Sequence, residues 1–258
     1  MLKKNSYTSQ LKKFIKNTEI FCNDEIYPHT MECLFESLND WSIFYELSEV
    51  REWYINKKNN STMKISNIPL KDMRDWSFNY EGNISHISND FFILRGLRIS
   101  SDTREKSFGW DQPIIEQVGY DGGLLGIVRK RFNGIPHYLC EAKEEPGNYG
   151  KVQISPSLQA TFANLNQSHG GRKPRFSNLF LDRDSNKDVK ILFDSWLSED
   201  GGRLHLKRNR GILIEVSQDF EIDLPNDNFI WLSLYQIKHL LKEDAWINPH
   251  IRGILAHV

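Results

Sequence analysis

The chain has 258 residues, 39% of them hydrophobic and 26% charged, with a formal net charge of −1. That composition suits a folded globular chain and excludes a disordered one, and the near-zero charge excludes a global basic field for nucleic acid, although local arginines can still hold phosphates. The three cysteines, Cys22, Cys33 and Cys140, are too few and too irregularly spaced for a disulfide framework or a zinc site, and they fit a reducing cytoplasm.

The opening MLKKNSYTSQLKKF lacks the continuous apolar core of a signal peptide, and no apolar run is long enough to span a bilayer. A soluble cytoplasmic protein without membrane or nucleic-acid partners is expected. Thr30 to Tyr54 show helical spacing: Leu34, Leu38, Trp41 and Tyr45 recur three or four apart, leaving Glu36, Asn39 and Asp40 for the wet side. The polar stretch NKKNNST, Asn56 to Thr62, reads as a linker or loop. Residues 1–62 are therefore expected to form a helical N-terminal arm, and residues 63–258 the functional domain.

From about Leu70 the pattern turns β-rich. HISNDFFILRGLRIS carries an apolar strand run, Phe91 to Leu94. GGLLGIVRKRFNGIPHYLCEAK reads as two strands around Asn133-Gly134, the strongest short-range hairpin signal. RGILIEVSQDF gives another strand, and SLYQIKHLLKEDAW an amphipathic helix with Leu234, Ile237, Leu240 and Leu241 on one stripe. The fold class is α+β, with a mixed or mostly antiparallel sheet flanked by helices.

YLCEAKEEPGN, Tyr138 to Asn148, contains most of the glutamate-rich box with which Nudix hydrolases hold magnesium on a helix. Counted back from Glu141, Gly126 falls on the box's first glycine, but Phe132 replaces its middle glutamate and Cys140 its arginine. The box should span a loop and a helix, whereas here HYLCEAK is the second arm of a hairpin. On a strand, Tyr138, Cys140 and Ala142 face one side and His137, Leu139, Glu141 and Lys143 the other. Pro146 disfavours αR at Glu145. A working magnesium box is not expected, and no metal or other cofactor is assigned.

FGWDQPIIEQ (Phe108–Gln117), GLLGIV (Gly123–Val128), EAKEEPGN (Glu141–Asn148), QISPSLQATFANL (Gln153–Leu165) and LKRNRGILIEV (Leu206–Val216) occur in this order. Together they resemble the NDP-hexose 2,3-dehydratases of deoxysugar biosynthesis. The family pattern Ala-Lys-any-Glu-Pro-Gly-Asn falls on Ala142 to Asn148, and Gln-any-Ser-Pro-any-any-Gln-Ala-Thr on Gln153 to Thr161. The likeness runs from about Leu70 to Leu255 and implies a Nudix-like fold. Family members typically carry two tandem copies of this unit; this sequence has one, and by analogy a homodimer would replace the duplication.

The resemblance implies a nucleotide-linked substrate, dTDP-4-keto-6-deoxyglucose, from which the C2 hydroxyl leaves as water to give a 3,4-diketo-2,6-dideoxy sugar. The C4 ketone acidifies the C3 hydrogen, so the reaction needs a base over C3, an acid near the C2 oxygen and donors for the C4 oxyanion, but no redox cofactor. Glu145 lies in the family motif and suits base or acid. Lys143, two residues earlier, shares its strand face and suits the C4 oxygen; an inert surface ion pair is the plain alternative. Asn148 ends the same motif. Gln153, Ser155, Gln159, Thr161 and Asn164 supply amides and hydroxyls for the sugar or the pyrimidine edge; Ser155-Pro156 also reads as a helix start.

Trp110, Gln112 and Gln117 make a nucleobase clamp, with Trp110 equally suited to a core. Arg98, Arg172, Arg175, Arg208 and Arg210 are the diphosphate candidates, and Arg208 and Arg210 share one strand face. His169 suits a lid or open solvent, while His137 and His205 read as structural. Two alternatives to a lyase stand beside it: a Nudix-type nucleotide-sugar hydrolase and a non-catalytic nucleotide-sugar-binding module.

Overall fold

A computed structural model of the chain describes residues 2–18, 28–100, 109–118, 122–165, 167 and 173–257. Helices α1 (Leu2–Thr18), α2 (Pro28–Leu38) and α3 (Leu47–Asn59) come first. Among the described residues the strands then form two sheets. The smaller is an antiparallel run of β1 (Trp76–Phe78), β2 (Ile84–His86), β3 (Phe92–Ile99) and β4 (Trp110–Gln117). The larger contains β5 (Gly123–Phe132), β6 (Ile135–Glu144), β7 (Val152–Pro156) and β8 (Leu158–Thr161). After the short helices α4 (Phe162–Leu165) and α5 (Ser177–Leu181) it gains β9 (Val189–Ser198), β10 (Arg208–Val216) and β11 (Phe229–Leu232). Helices α6 (Leu234–Leu240) and α7 (Pro249–Leu255) close the chain. No described helix is long and apolar enough to cross a membrane.

The larger sheet runs β11-β6-β5-β10-β9, with β5 and β10 parallel and its other pairs antiparallel. Alternation along the strands splits its apolar residues between two cores. Leu125, Ile127, Tyr138, Cys140 and Leu213 face α3, α6 and α7, whose Val50, Tyr54, Ile237 and Ile251 complete that side. Leu124, Val128, Leu139, Ile212 and Ile214 face the other side with Phe180 of α5. Gly126 fits there because a Cβ would lie 2.4 Å from the Phe180 ring. The Asn133-Gly134 turn carries φ of 51° and 79°, the doubly left-handed geometry that matches strand twist in a two-residue hairpin.

That hairpin is closed at one end and forked at the other. Val128 to Phe132 pair with Leu139 to Ile135. Beyond that point β5 pairs instead with β8, and β6 with β7, so the β7–β8 segment fills the gap between the prongs. Ser157 sits at the crotch, 3% exposed. Its hydroxyl accepts from the Val128 N–H at 2.9 Å and donates to the Leu139 carbonyl at 2.7 Å. The two backbone groups orphaned by the fork are thereby satisfied.

The expected helix over Thr30 to Tyr54 is instead two helices broken at residues 39–46, with α3 running on into the stretch read as a linker. Trp41 is buried and Asn39 exposed, as expected, but the rest of the pattern is inverted. Leu34, Leu38 and Tyr45 are exposed, whereas Glu36 is 2% exposed. The cause is Arg129, buried on β5. It donates to Glu32 Oε2 at 2.9 Å and Glu36 Oε1 at 2.6 Å, and also bonds Glu215. Arg131 adds a second guanidinium to Glu32. A buried charge costs more than exposed leucines, so it fixes which face of α2 turns inward. Asp40, expected in solvent, accepts from the Ser233 hydroxyl and the Gln236 amide at the start of α6. The helical arm thus packs on the sheet, with Cys33 in the same core as Tyr138.

Three carboxylates face two guanidiniums in this cluster. Burial pushes Glu36 up from 4.5 to about 7 even with Arg129 beside it. Burial also raises Glu32, but the Arg131 hydrogen bonds and the Arg129 charge outweigh it and hold the carboxyl at about 2. Glu36 therefore lends stability that is full below pH 4.5 and lost as pH rises through 7. Glu32 lends stability present above pH 4.5 and lost as pH falls toward 2. Relative to a Glu36→Gln variant, the wild type is expected to lose Tm steadily between pH 4.5 and 7. Scanning calorimetry of both proteins checks this, and a difference in Tm that stays constant over that range contradicts it. Ser157→Ala strands two buried backbone groups and is expected to cost about 2–4 kcal/mol in urea unfolding; a loss below ~1 kcal/mol would mean the fork closes without the hydroxyl.

Candidate active site

The fork opens a cavity of about 200 Å³ whose walls come from both prongs and the wedge between them. Lys143 on β6 and Glu145 just beyond it share one face, as alternation requires, and both line the cavity. Gly123 on β5 stands opposite, with Gln159 and Thr161 from β8 and Asn164 from α4. The Lys143 ammonium donates to the Gln159 carbonyl at 3.2 Å, and the Gln159 amide donates to Glu145 Oε1 at 2.9 Å. Gln159 Oε1 is buried with no hydrogen-bond partner among the described residues. A built acceptor left open at a cavity wall suits a ligand hydroxyl. Gly123 is required by close approach: a Cβ there would lie 2.8 Å from both the Ala160 carbonyl and Asn209 Oδ1.

A second cavity of about 350 Å³ adjoins the first between the two sheets. Phe91, Phe92, Ile115 and Leu204 make it largely apolar, with Asp90 and Gln117 at its edge. Thr161, Asn164 and Lys207 line both cavities, which form one cleft. Lys207 hydrogen-bonds the Gln117 side-chain oxygen. Burial pushes its ammonium below the usual lysine range, against the nearby Glu199 charge.

Of the residues singled out by sequence, Lys143, Glu145, Gln159, Thr161, Asn164 and Gln117 meet in this cleft. Others lie elsewhere. Arg98 is paired through both nitrogens with Asp111, each bond 3.0 Å, on the exposed small sheet. Trp110 and Gln112 share a face of β4 opposite to Ile115 and Gln117 and bond each other at 2.8 Å, so the expected three-residue clamp is split. Arg208 and Arg210 share a face, but not the cleft face: Arg208 stacks on Trp196, and Arg210 is bidentate to Asp194.

Ser155 is no helix cap. It lies in β7 opposite Glu141, because the residue before a proline favours extended backbone and β6 offers it a ladder. Gln153 bonds the Ala245 carbonyl at 2.9 Å, and Asn148 holds the turn after β6 through the Lys143 and Glu145 carbonyls. Glu141, third on the Lys143 face, is half-buried, and burial pushes its carboxyl up. His137 accepts from the Ile43 N–H at 3.2 Å, a structural role. Arg175 is exposed, and Arg172, His169 and Phe108 lie outside the described residues.

Sequence reasoning missed Lys207, Asn209 and His250. The first two face the cleft because they alternate with the arginines chosen. His250 follows Asn248-Pro249, a cap-and-proline helix start, and the Asn248 side chain accepts its N–H at 2.9 Å. That signal marked a helix but gave no hint of the cleft.

A family model described as NDP-hexose 2,3-dehydratase matches residues 47–258. The chain belongs to this family. It is 34% identical over 213 residues to a dTDP-4-dehydro-6-deoxy-alpha-D-glucopyranose 2,3-dehydratase of Amycolatopsis orientalis, covering 81% of this chain and 44% of that protein. A protein of the same description from Saccharopolyspora spinosa is 34% identical, with 81% of this chain and 41% of that one covered. The dehydratase-family chain thus spans under half the length of the curated relatives it matches. Among solved structures, an ADP compounds hydrolase aligns over 64% of this chain and 83% of its own at 11% identity and TM-score 0.37. A Nudix hydrolase from M. smegmatis aligns over 62% and 92% at 9% identity and TM-score 0.32. In this family member the glutamate-rich segment is a strand, β6, up to Glu144. Among the described residues no group of three or more His, Cys, Asp or Glu side chains is arranged to hold a metal ion.

Proposed function

We propose that the chain is a nucleotide-sugar 2,3-dehydratase acting on dTDP-4-keto-6-deoxyglucose, with the hexose between Lys143 and Glu145. One observation carries this reading. Lys143 and Glu145 come from one family motif, on and just beyond the β6 prong, Gln159 and Thr161 from another, on the wedge strand β8, and the two segments line one cavity. Family membership and the names of the relatives support the same substrate class.

The chemistry follows from the side chains. Glu145 accepts a hydrogen bond from the Gln159 amide at one oxygen, which orients its carboxylate in the cavity and suits it to take the C3 proton. Lys143 spends one of its three donors on the Gln159 carbonyl and keeps others for the C4 oxygen as charge develops there. The C2 hydroxyl leaves as water, and the enol becomes the C3 ketone. The apolar cavity takes the nucleoside, with Phe91 and Phe92 against the pyrimidine. Lys207, at the junction, takes the diphosphate.

Every cleft residue named here lies beyond residue 62, so residues 63–258 carry the chemistry and residues 1–62 act as a bracing arm. We read the protein as a cytoplasmic homodimer, supported by the exposed apolar side chains Phe78, Tyr80 and Ile87, which a second copy would cover. Light scattering is expected to return about twice the chain mass; the mass of one chain would remove the dimer from the reading.

Incubation with dTDP-4-keto-6-deoxyglucose is expected to yield a product lighter by one water in mass spectrometry. Glu145→Gln is expected to lower turnover roughly 100-fold or more while dTDP binding is retained. Release of a sugar phosphate with a nucleoside monophosphate would favour a hydrolase instead, and binding without turnover a non-catalytic module.

A further inference from the structure

The elimination requires two groups, since one must take the C3 proton while another gives a proton to the departing C2 hydroxyl. Glu145 is suited to the first task. The second falls to another residue that lines the same cavity.

His250 lines the cavity with Lys143 and Glu145. Its Nδ1 lies 3.5 Å from Glu199 Oε1, and its side chain is 19% exposed. Glu199 is itself held: the Asn209 amide donates to Glu199 Oε1, while Asn209 Oδ1 accepts from the Gly123 N–H at 2.7 Å. With Nδ1 turned to the carboxylate, Nε2 has no hydrogen-bond partner among the described residues, and it is the nitrogen left for a ligand. The backbone that carries the ring is fixed from the other side. Asn248 donates its N–H to the Ile154 carbonyl at 2.9 Å, and its side chain reaches Gln153, which lies opposite Lys143 in the β6–β7 ladder. The wedge strand that lines up Lys143 thus also fixes the turn that presents His250.

We propose that His250 is the general acid of the cleft, oriented through Nδ1 by Glu199, with Asn209 and Gln153 as positioning residues. The assignment rests on the dehydratase reading and adds to it the group that protonates the leaving hydroxyl. Protons balance over the cycle. Glu145 takes the C3 proton, and the imidazolium gives its Nε2 proton to the C2 hydroxyl, which leaves as water with the C–O bonding pair. Protonated Glu145 then delivers a proton to C2 while neutral His250 takes the enol proton. The C3 ketone forms, and both groups return to their starting states.

The charges facing His250 come from three elements. Glu199 follows β9, Lys143 and Glu145 come from the end of β6, and Lys207 precedes β10. Burial pulls the imidazole below its ordinary value, Glu199 and Glu145 oppose that, and Lys143 and Lys207 add to it. A bound diphosphate would offset Lys207, so substrate itself favours the imidazolium.

The test is the pH profile of kcat with dTDP-4-keto-6-deoxyglucose. In the wild type an alkaline limb is expected where His250 loses its proton. Glu199→Gln removes a carboxylate that stabilises the imidazolium and is expected to shift that limb to lower pH, with dTDP affinity unchanged. His250→Gln is expected to lose roughly 100-fold or more in kcat and to lose the limb altogether. A His250→Gln enzyme within a few-fold of wild type, or a Glu199→Gln enzyme whose limb stays in place, overturns the assignment while leaving the lyase intact. A wild type that binds dTDP but removes no water from the sugar overturns the lyase reading, and the role of His250 with it.

Discussion

The Ser157 hydroxyl stands where a continuous hairpin becomes two separate strands. One oxygen serves an N–H on β5 and a carbonyl on β6, and the ladder can end there without stranding either group. Everything around the cleft follows from that ending. Because the prongs part, β7 and β8 can each find an edge, and because each finds an edge, Gln159 and Thr161 come down opposite Lys143 and Glu145. An unbroken β5–β6 ladder would bring the prongs to the ordinary strand spacing and leave no space between them.

The closed half of the hairpin is held just as firmly. Arg129 follows Val128 directly and pairs in register with Tyr138, so the charge cluster beneath α2 begins one residue from the fork. A buried guanidinium must be matched, and the match is drawn from Glu32 and Glu36 on α2 and from Glu215 on β10. The helical arm is therefore tied to the sheet by charge at one point and by apolar packing through Cys33, Val50 and Tyr54 at others. Rigidity on one side of Ser157 permits an open site on the other.

What the sequence made legible was local. Asn133-Gly134 announced its turn, alternation put Lys143 and Glu145 on one face, and the stripe of Leu234, Ile237 and Leu240 marked the buried side of α6. What it hid were choices made between elements. The leucine stripe on α2 pointed one way and a buried arginine some ninety residues later pointed the other; the arginine prevailed. At Ser155-Pro156 the two readings of a pre-proline serine, cap or extended residue, are equal in sequence, and the edge offered by β6 decided between them. On β10 the parity of Arg208 and Arg210 was right but the face was wrong. Trp196 and Asp194 from β9 hold those arginines, and the cleft receives Lys207 and Asn209.

The same distinction between local pattern and backbone context explains the chemistry of the glutamate-rich segment. On a helix, carboxylates three or four apart converge on one side and can close around a cation. On a strand, neighbours diverge: Glu144 is exposed while Glu145 turns into the cleft. The side chains that stay together are Glu141, Lys143 and Glu145, with a cation already standing between two carboxylates. Lys143 opposes the like-charge repulsion that Glu145 exerts on Glu141. Such a row can hand protons on and steady an oxyanion, because its members carry opposite charges at fixed intervals. A metal site asks for carboxylates that converge. Extending the backbone of Glu-Ala-Lys-Glu-Glu thus changes which reactions those residues can serve, with no change in the residues themselves.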